Sequence, residues 1–286
     1  MDYFKILRPK HWVKNILVFA PLYFANAFNL VSVATTTVGF IAFCLVASSI
    51  YIINDLIDYE KDRTNPHKLD RPIANGTVKK KQALTICILC LLIAIILCIN
   101  LPIYFIITLL IYSLMNVAYM LKLKNLVIID VICLALGGVM RIVAGGFLAN
   151  VEVTKWILVC VFFLGLFLGF SKRRGEVAIE NENIIKRKVA VEYSLNILDK
   201  FIISSGILAL ICYALFTLDA NVIEKFNAPH LYWTIPFPTY GIFKYTMLIP
   251  KTENTDPTHI LYKDKSLILF IVIWLAVIYC IMYFGL

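Results

Sequence analysis

Charge is the scarce ingredient of this chain. Only 16% of its 286 residues are Asp, Glu, Lys or Arg, against about a quarter in a soluble domain. Hydrophobic residues make up 61%, and the mean hydropathy is +0.84. A water-soluble fold is excluded. A small-residue cleavage site is missing behind the basic stretch 1–15, so the apolar run that follows reads as a retained first helix rather than a signal peptide. A second Cys-x-x-Cys is missing too. Cys87 and Cys90 form one such pair, but none follows on a polar loop, and all eight cysteines (Cys44, Cys87, Cys90, Cys98, Cys133, Cys160, Cys212, Cys280) lie in apolar runs. A metal knuckle or disulfide framework is therefore disfavoured, and the thiols read as small buried hydrophobes. No convincing internal repeat of the transporter kind is visible.

What is abundant is long apolar windows, at 16–34, 36–56, 83–99, 101–121, 126–149, 154–171, 201–218, 231–249 and 267–285. Each is near the roughly 20 residues a helix needs to cross a bilayer. They predict an all-α integral membrane protein of nine transmembrane helices. Pro236 and Pro238 predict a kink in the eighth. Of the 27 lysines and arginines, 24 fall on one side of this layout; Lys155 and Lys225 lie on the other and Arg141 inside a span. The positive-inside rule puts the N-terminus and the basic loops in the cytoplasm and the C-terminus outside, in a multi-pass protein of the cell membrane. The basic residues are accounted for by topology and imply no nucleic-acid partner.

Topology does not account for the carboxylates among them. At the end of the second span, Asn54, Asp55, Asp58 and Asp62 fall within about 100° of one another on a helix, with Tyr51 one turn earlier on the same face. Asp58 and Asp62 are a like-charged i,i+4 pair near the negative end of the helix dipole, so something positive is required. Oxygen ligands converging at a membrane boundary suit Mg²⁺ shared with a phosphorylated substrate. The alternative is a solvated acidic helix end bridged by Lys61 and Arg63. Beyond lie turn signals at Asn65-Pro66, Arg71-Pro72 and Asn75-Gly76, and a held Arg71 suits a phosphate clamp.

Arg141 is the second outlier. In the middle of a span it costs at least about 2.5–3.5 kcal/mol on insertion scales, so it should face a cavity and a partner. Asp130 is too far along the axis to pair with it directly, and the two would mark one polar stripe. The neighbouring Gly137, Gly138, Gly145 and Gly146 read as close-packing positions. A third cluster, 171–176, puts Lys172 and Glu176 at i,i+4 spacing, with Glu180 one turn on; routine surface pairing explains it equally well. The following 181–200 reads as an interfacial amphipathic segment. Completing the rim are Arg8-Pro9-Lys10-His11-Trp12-Val13-Lys14-Asn15, with Trp12 as interfacial anchor and Lys14 and Asn15 at the membrane entrance, and a last loop containing Asp256, Pro257, Thr258 and Asp264.

The spacing Asn54-x-x-x-Asp58-x-x-x-Asp62, followed by Asp70-Arg71-Pro72-Ile73 and Asn75-Gly76, resembles the UbiA prenyltransferase superfamily over nearly the whole chain. The resemblance implies one membrane domain, 1–286, of nine helices around a central cavity, with a Mg²⁺-binding cytoplasmic polar cap. Most members carry a second Asp-rich motif after the sixth span. Here that place reads Ser171-Lys172-Arg173-Arg174-Gly175-Glu176. This departure, together with the Arg8–Asn15 opening and Arg141-x-x-Ala144-Gly145-Gly146, is similar to the phosphoribosyltransferase branch that acts on decaprenyl phosphate.

The implied donor is phosphoribosyl pyrophosphate (PRPP), the acceptor a polyprenyl phosphate, and the cofactor Mg²⁺. Asn54, Asp55, Asp58 and Asp62 would serve as metal ligands, the three aspartates as catalytic groups. Lys14, Asn15, Tyr51, Arg71, Lys122, Arg141, Lys172 and Glu176 would contact substrates, with Arg141 or the Lys122/Lys124 pair on the lipid phosphate. A prenyltransferase using a prenyl diphosphate and a lipophilic acceptor is the first rival reading; a non-catalytic transporter or lipid-handling protein is the second. Homo-oligomerisation is left open.

Overall fold

The computed structural model describes residues 2–64, 69–178, 192–251, 260 and 264–284, and every regular element among them is helical. Two short helices, α1 (Asp2–Lys5) and α2 (Ala20–Phe24), flank a 3-10 segment, Pro9–Phe19. Then come α3 (Leu30–Ile57), α4 (Tyr59–Arg63), α5 (Lys80–Cys98), α6 (Ile103–Leu121), α7 (Ile129–Ala149) and α8 (Lys155–Ala178). The chain closes with α9 (Leu195–Leu218), α10 (Ala220–Phe226), a 3-10 turn at Leu231–Thr234, α11 (Pro236–Leu248) and α12 (Lys265–Phe284). Glu180 and the Asp256–Thr258 stretch fall outside the described residues, as does 179–191, most of the expected interfacial segment.

Among the described residues seven helices are long and apolar enough to cross a membrane: α3, α5, α6, α7, α8, α9 and α12. Their ends follow from local chemistry. The Asn29 side chain caps α3 by accepting from the Ser32 N–H at 2.8 Å, and Ser194 does the same for α9 through Ile197. Gln82 accepts from the Lys79 N–H at the start of α5. α7 stops where Asn150 turns left-handed, φ 54°, and the Val151 N–H returns to the Gly146 carbonyl. The eight cysteines are free thiols, and Cys87 and Cys90 are both buried in α5.

Two apolar windows are not single helices. The window 16–34 starts in the 3-10 segment, passes through α2, turns at 25–29 and ends inside α3. Pro21, in the first turn of α2, marks the break between the 3-10 segment and that helix. The pieces still run the length of α3. Arg8 bonds Asp55, Trp12 bonds Ser48 and Asn15 bonds Cys44, an antiparallel register that ends at the Asn29 cap. In the window 231–249, Pro236 and Pro238 do not kink a helix. They lie in the first turn of α11, where no backbone N–H is required of them. α11 lies against α12, with Tyr240 stacked on Phe270 at 3.9 Å and Lys244 3.5 Å from Asp264.

α7 is the innermost span, with 56% of its apolar window buried against 22% for α5 and 17% for α12. The outward faces of α5 and α12 carry exposed Leu and Ile residues, suited to lipid. α7 packs on α3, α6, α8 and the 3-10 segment. Gly145 permits the last contact, since a Cβ there would lie 2.0 Å from the Val18 carbonyl oxygen. Gly145→Ala should therefore lower stability by about 2–3 kcal/mol, the upper range for overpacking, because a backbone atom cannot rotate away. Thermal unfolding in detergent checks this, with Gly241→Ala, which meets nothing within 4 Å, as the control that should not lose stability.

Candidate active site at the end of α3

The acidic residues sit where α3 bends into α4. Asp58 is the bend, at φ −87° and ψ 7°, yet i→i−4 bonds are made on both sides of it. The Asp58 N–H donates to Asn54 O and the Asp62 N–H to Asp58 O, both at 2.9 Å. Asn54, Asp58 and Asp62 therefore stay one turn apart on one side. Asp55 and Asp62 are buried, 4% and 1% exposed.

The required positive charge comes from three other segments. Arg8 Nη2 donates to both Asp55 oxygens, at 2.5 and 2.7 Å. Arg71 Nη1 reaches Asp55 Oδ1 at 3.0 Å and also bonds Asp62. Lys124 Nζ lies 3.2 Å from both Asp58 oxygens. Lys122, expected at this rim, ends α6 exposed; the 3-10 turn after it, Leu123–Asn125, brings Lys124 to the carboxylate instead.

Arg71 is held as the turn signals at Arg71-Pro72 and Asn75-Gly76 predicted, while Asn65-Pro66 lies outside the described residues. Its carbonyl accepts from Asn75 N, Val78 N returns to Pro72 O, and Gly76 supplies the left-handed step at φ 82°. Ile73, Ala74 and Val78 are buried behind it. Tyr51 lies beneath Arg8, whose guanidinium carbon is 5.0 Å from the ring centroid, and also packs on His11.

Deeper in, Arg141 is 8% exposed. It donates from Nε to Asn15 Oδ1 at 2.7 Å, from Nη1 to Gly137 O at 2.6 Å and from Nη2 to Tyr112 Oη at 3.0 Å. Its guanidinium lies over the rings of Tyr112 and Phe43, at 5.0 and 5.3 Å. These partners are neutral. Asn15, 1% exposed, also donates to Cys44 Sγ, which places Arg141 about 16 Å along α3 from Asp55 at 1.5 Å per residue. Lys14 is half-buried beside Asn15. Arg141 is enclosed rather than facing an open cavity. An apolar hollow lined by Pro21, Phe24, Ile142, Ile157 and Phe216 lies at the far end of the bundle from the carboxylates.

Asp130 does not form a stripe with Arg141. Completely buried, it accepts from Arg173 Nε at 2.6 Å. Arg173, 1% exposed, also donates to Glu176 at 2.6 Å and Tyr119 Oη at 3.3 Å. Glu176 thus pairs with Arg173, three residues earlier. The Tyr193 hydroxyl closes the cluster, accepting from Ile128 N at 2.7 Å and lying 3.4 Å from Asp130. Burial, and then the Asp130 charge, push its phenol up to about 12. Lys172 is half-buried next to this lock.

The model of the UbiA prenyltransferase family matches residues 15–261. The chain belongs to the UbiA prenyltransferase family. The decaprenyl-phosphate phosphoribosyltransferase of Mycolicibacterium smegmatis is 31% identical over 294 residues, covering 98% of this chain and 92% of that protein. The enzyme of the same name from Corynebacterium glutamicum is 28% identical, covering 97% and 84%. A solved UbiA homolog from Archaeoglobus fulgidus bound to GPP and Mg²⁺ superposes with a TM-score of 0.75 at 19% identity, over 99% of this chain and 100% of that one. That likeness carries the fold.

In this UbiA chain no three carboxylate, imidazole or thiol groups already converge as a metal cage among the described residues. The donor set nevertheless fits Mg²⁺. Asp58 and Asp62 sit about one turn apart, with Asn54 one turn before them, and Mg²⁺ takes one or two protein carboxylates with phosphate oxygens and water. Sequence reasoning missed two residues of the UbiA site and its neighbourhood. Arg8 was visible within its motif but had no distinguishing feature among four basic or polar neighbours, Lys10, His11, Lys14 and Asn15. Arg173 was the middle of a Lys-Arg-Arg run, where nothing marks which side chain turns inward.

Proposed function

We propose that this chain transfers 5-phosphoribose from PRPP to a polyprenyl phosphate of the decaprenyl type and releases pyrophosphate. The carrying observation is the three-carboxylate, three-cation cluster at the end of α3, in a chain 31% identical over 98% of its length to a decaprenyl-phosphate phosphoribosyltransferase. Asn54, Asp58 and Asp62 would hold Mg²⁺, with Asp55 beside them. Bound there, the ion supplies Lewis-acid neutralisation of the departing diphosphate.

The chain's own residues do the rest. Arg71 and Lys124, with Lys14 and Lys172, offer positive charge to the phosphates. The bond from ribose C1 to the pyrophosphate oxygen breaks, and one from C1 to a phosphate oxygen of the lipid forms on the opposite face. Glycosyl centres pass through an oxocarbenium-like state, and the lipid phosphate, already anionic, requires no strong base. Arg141 is suited to that phosphate, as a buried cation whose partners are neutral. Asn15 and Tyr112 fix the orientation of its guanidinium.

The layout accompanying this reading has nine crossings. The 3-10 segment with α2, and the 231–249 segment with α11, complete the seven long helices. The carboxylate end forms a cytoplasmic polar cap at the plasma membrane. The decisive experiment offers purified protein radiolabelled PRPP with polyprenyl phosphate, and separately a prenyl diphosphate with an aromatic acid. Labelled lipid and stoichiometric pyrophosphate are expected only from the first pair. Product from the second alone would replace this reading with prenyl transfer, and no pyrophosphate from either would leave a non-catalytic lipid handler.

Arg141→Gln should raise the KM for polyprenyl phosphate about tenfold or more while moving PRPP affinity by less than threefold, the loss of a charged bond amounting to about 1.5–3 kcal/mol. An unchanged acceptor KM would remove Arg141 from that role.

A further inference from the structure

We propose that Asp55 is not a ligand of the divalent ion but the shared anchor of a two-arginine clamp, Arg8 and Arg71, whose ligand is a diphosphate. The proposal rests on the functional reading only in taking a diphosphate-bearing donor.

Asp55 differs from its neighbours in how it is used. One carboxylate meets two guanidinium groups: Arg8 Nη2 on both oxygens, and Arg71 Nη1 on Oδ1. Asp58 meets a single ammonium at the longer distance of 3.2 Å, and Asp62 shares Arg71 with Asp55. Drawing Asp55 onto a dication would strip its charge from two arginines and set all three cations together, which is electrostatically unfavourable. Asp58 can be released at the cost of one partly exposed contact, its own side chain 18% exposed and Lys124's 20%.

With Asp62 engaged by the divalent ion, the trio of Arg8, Asp55 and Arg71 keeps a net positive charge. Its anion is the buried member, with 5% of its side chain exposed, while the two arginines retain 19% and 26%. Cations that are anchored from behind and exposed in front are arranged to receive an anion. Arg8 is also fixed at its backbone. It stands at φ 52°, ψ 55°, the left-handed region that Arg rarely adopts. Three contacts hold it there: the His11 N–H on its carbonyl, the Ser48 hydroxyl on the Leu7 carbonyl, and the Trp12 indole on Ser48. Tyr51 supports the guanidinium from one side. Such strain held by its surroundings is found where position matters.

The test separates metal from anion binding, with inorganic pyrophosphate and Mn²⁺ as probes and full-length protein in detergent. Free Mn²⁺ is counted by its EPR signal, with and without pyrophosphate. For Asp55→Asn and for Arg8→Gln, Mn²⁺ affinity without pyrophosphate should stay within threefold of wild type. The affinity for pyrophosphate should fall tenfold or more. Asp62→Asn should lose Mn²⁺ under both conditions. Arg8→Lys, which keeps the charge but not the fork, should recover part of the pyrophosphate affinity, a rescue that a merely structural role would not produce. If Asp55→Asn loses Mn²⁺ as Asp62→Asn does, Asp55 is a ligand and the proposal falls. It falls equally if Arg8→Gln binds pyrophosphate as wild type does. Wild-type protein that binds Mn²⁺ and pyrophosphate through these residues but turns over no PRPP would uphold the clamp and sink the reaction assigned above.

Discussion

Asp62→Asn should yield a folded protein whose pyrophosphate release is about a thousandfold below wild type, the size of effect expected when a main electrostatic element of a transition state is removed. Folding should survive because the substitution leaves Arg71 its second carboxylate, Asp55, at 3.0 Å, and Asn is isosteric with Asp. Asp58→Asn should act in the same direction. Its ammonium partner is partly exposed and tolerates losing the pair. Turnover close to wild type in both purified variants, measured under saturating Mg²⁺, would discard the metal assignment for this helix end. Thermal unfolding of the same samples guards against reading a misfolded protein as an inactive one.

The largest effect on stability is expected away from that cluster. Arg173→Met should cost about 3–5 kcal/mol, because it leaves Asp130 as a buried charge without its partner. Asp130 is completely enclosed and Arg173 nearly so, at 1% exposed. Methionine fills a similar volume, so packing alone does not account for the loss. The double variant Arg173→Met/Asp130→Asn should regain a large part of it, since the uncompensated charge is then gone. Unfolding midpoints of the two single variants and the double variant give the coupling energy directly. Additive single effects would mean that the 2.6 Å contact contributes little.

Much of this molecule was legible in its sequence, for physical reasons that differ from part to part. The long spans were legible because lipid demands uninterrupted apolar runs, and α3, α5, α6, α7, α8, α9 and α12 lie under seven of the nine windows. The remaining two windows were misread as single helices because hydropathy registers apolarity and not backbone geometry. Pro236, read as a kink, instead starts a short element, as Pro9 and Pro21 do. Periodicity set Asn54, Asp58 and Asp62 on one side, and the two i→i−4 bonds on either side of the Asp58 bend keep them there. The need for cations around them was also legible. Their identity was not, because Arg8 and Lys124 come from segments 47 and 66 residues away in sequence, and no local pattern encodes that approach. Asp130 was read as one polar stripe with Arg141, and its true partner Arg173 was not legible for the same reason: helix azimuth within α7 says nothing about which neighbouring helix supplies the partner. Gly145 was correctly read as a packing position, although only the structure identifies the Val18 carbonyl as the atom it admits.

The tightly wound strut at Pro9–Phe19 has a mechanical corollary. With three residues per turn, side chains at i and i+3 eclipse. Trp12 and Asn15 accordingly line up as a straight rack, engaging Ser48 and Cys44, and the Val18 carbonyl three residues on meets Gly145. From Pro9 to Asn15 the rack advances about 12 Å, where α-winding would give about 9 Å. The spacing between the arginine at its mouth and the amide that steadies Arg141 is thus metered by a residue count. A rack of fixed pitch cannot absorb a missing tooth, so removing Val13 would unseat either Trp12 or Asn15.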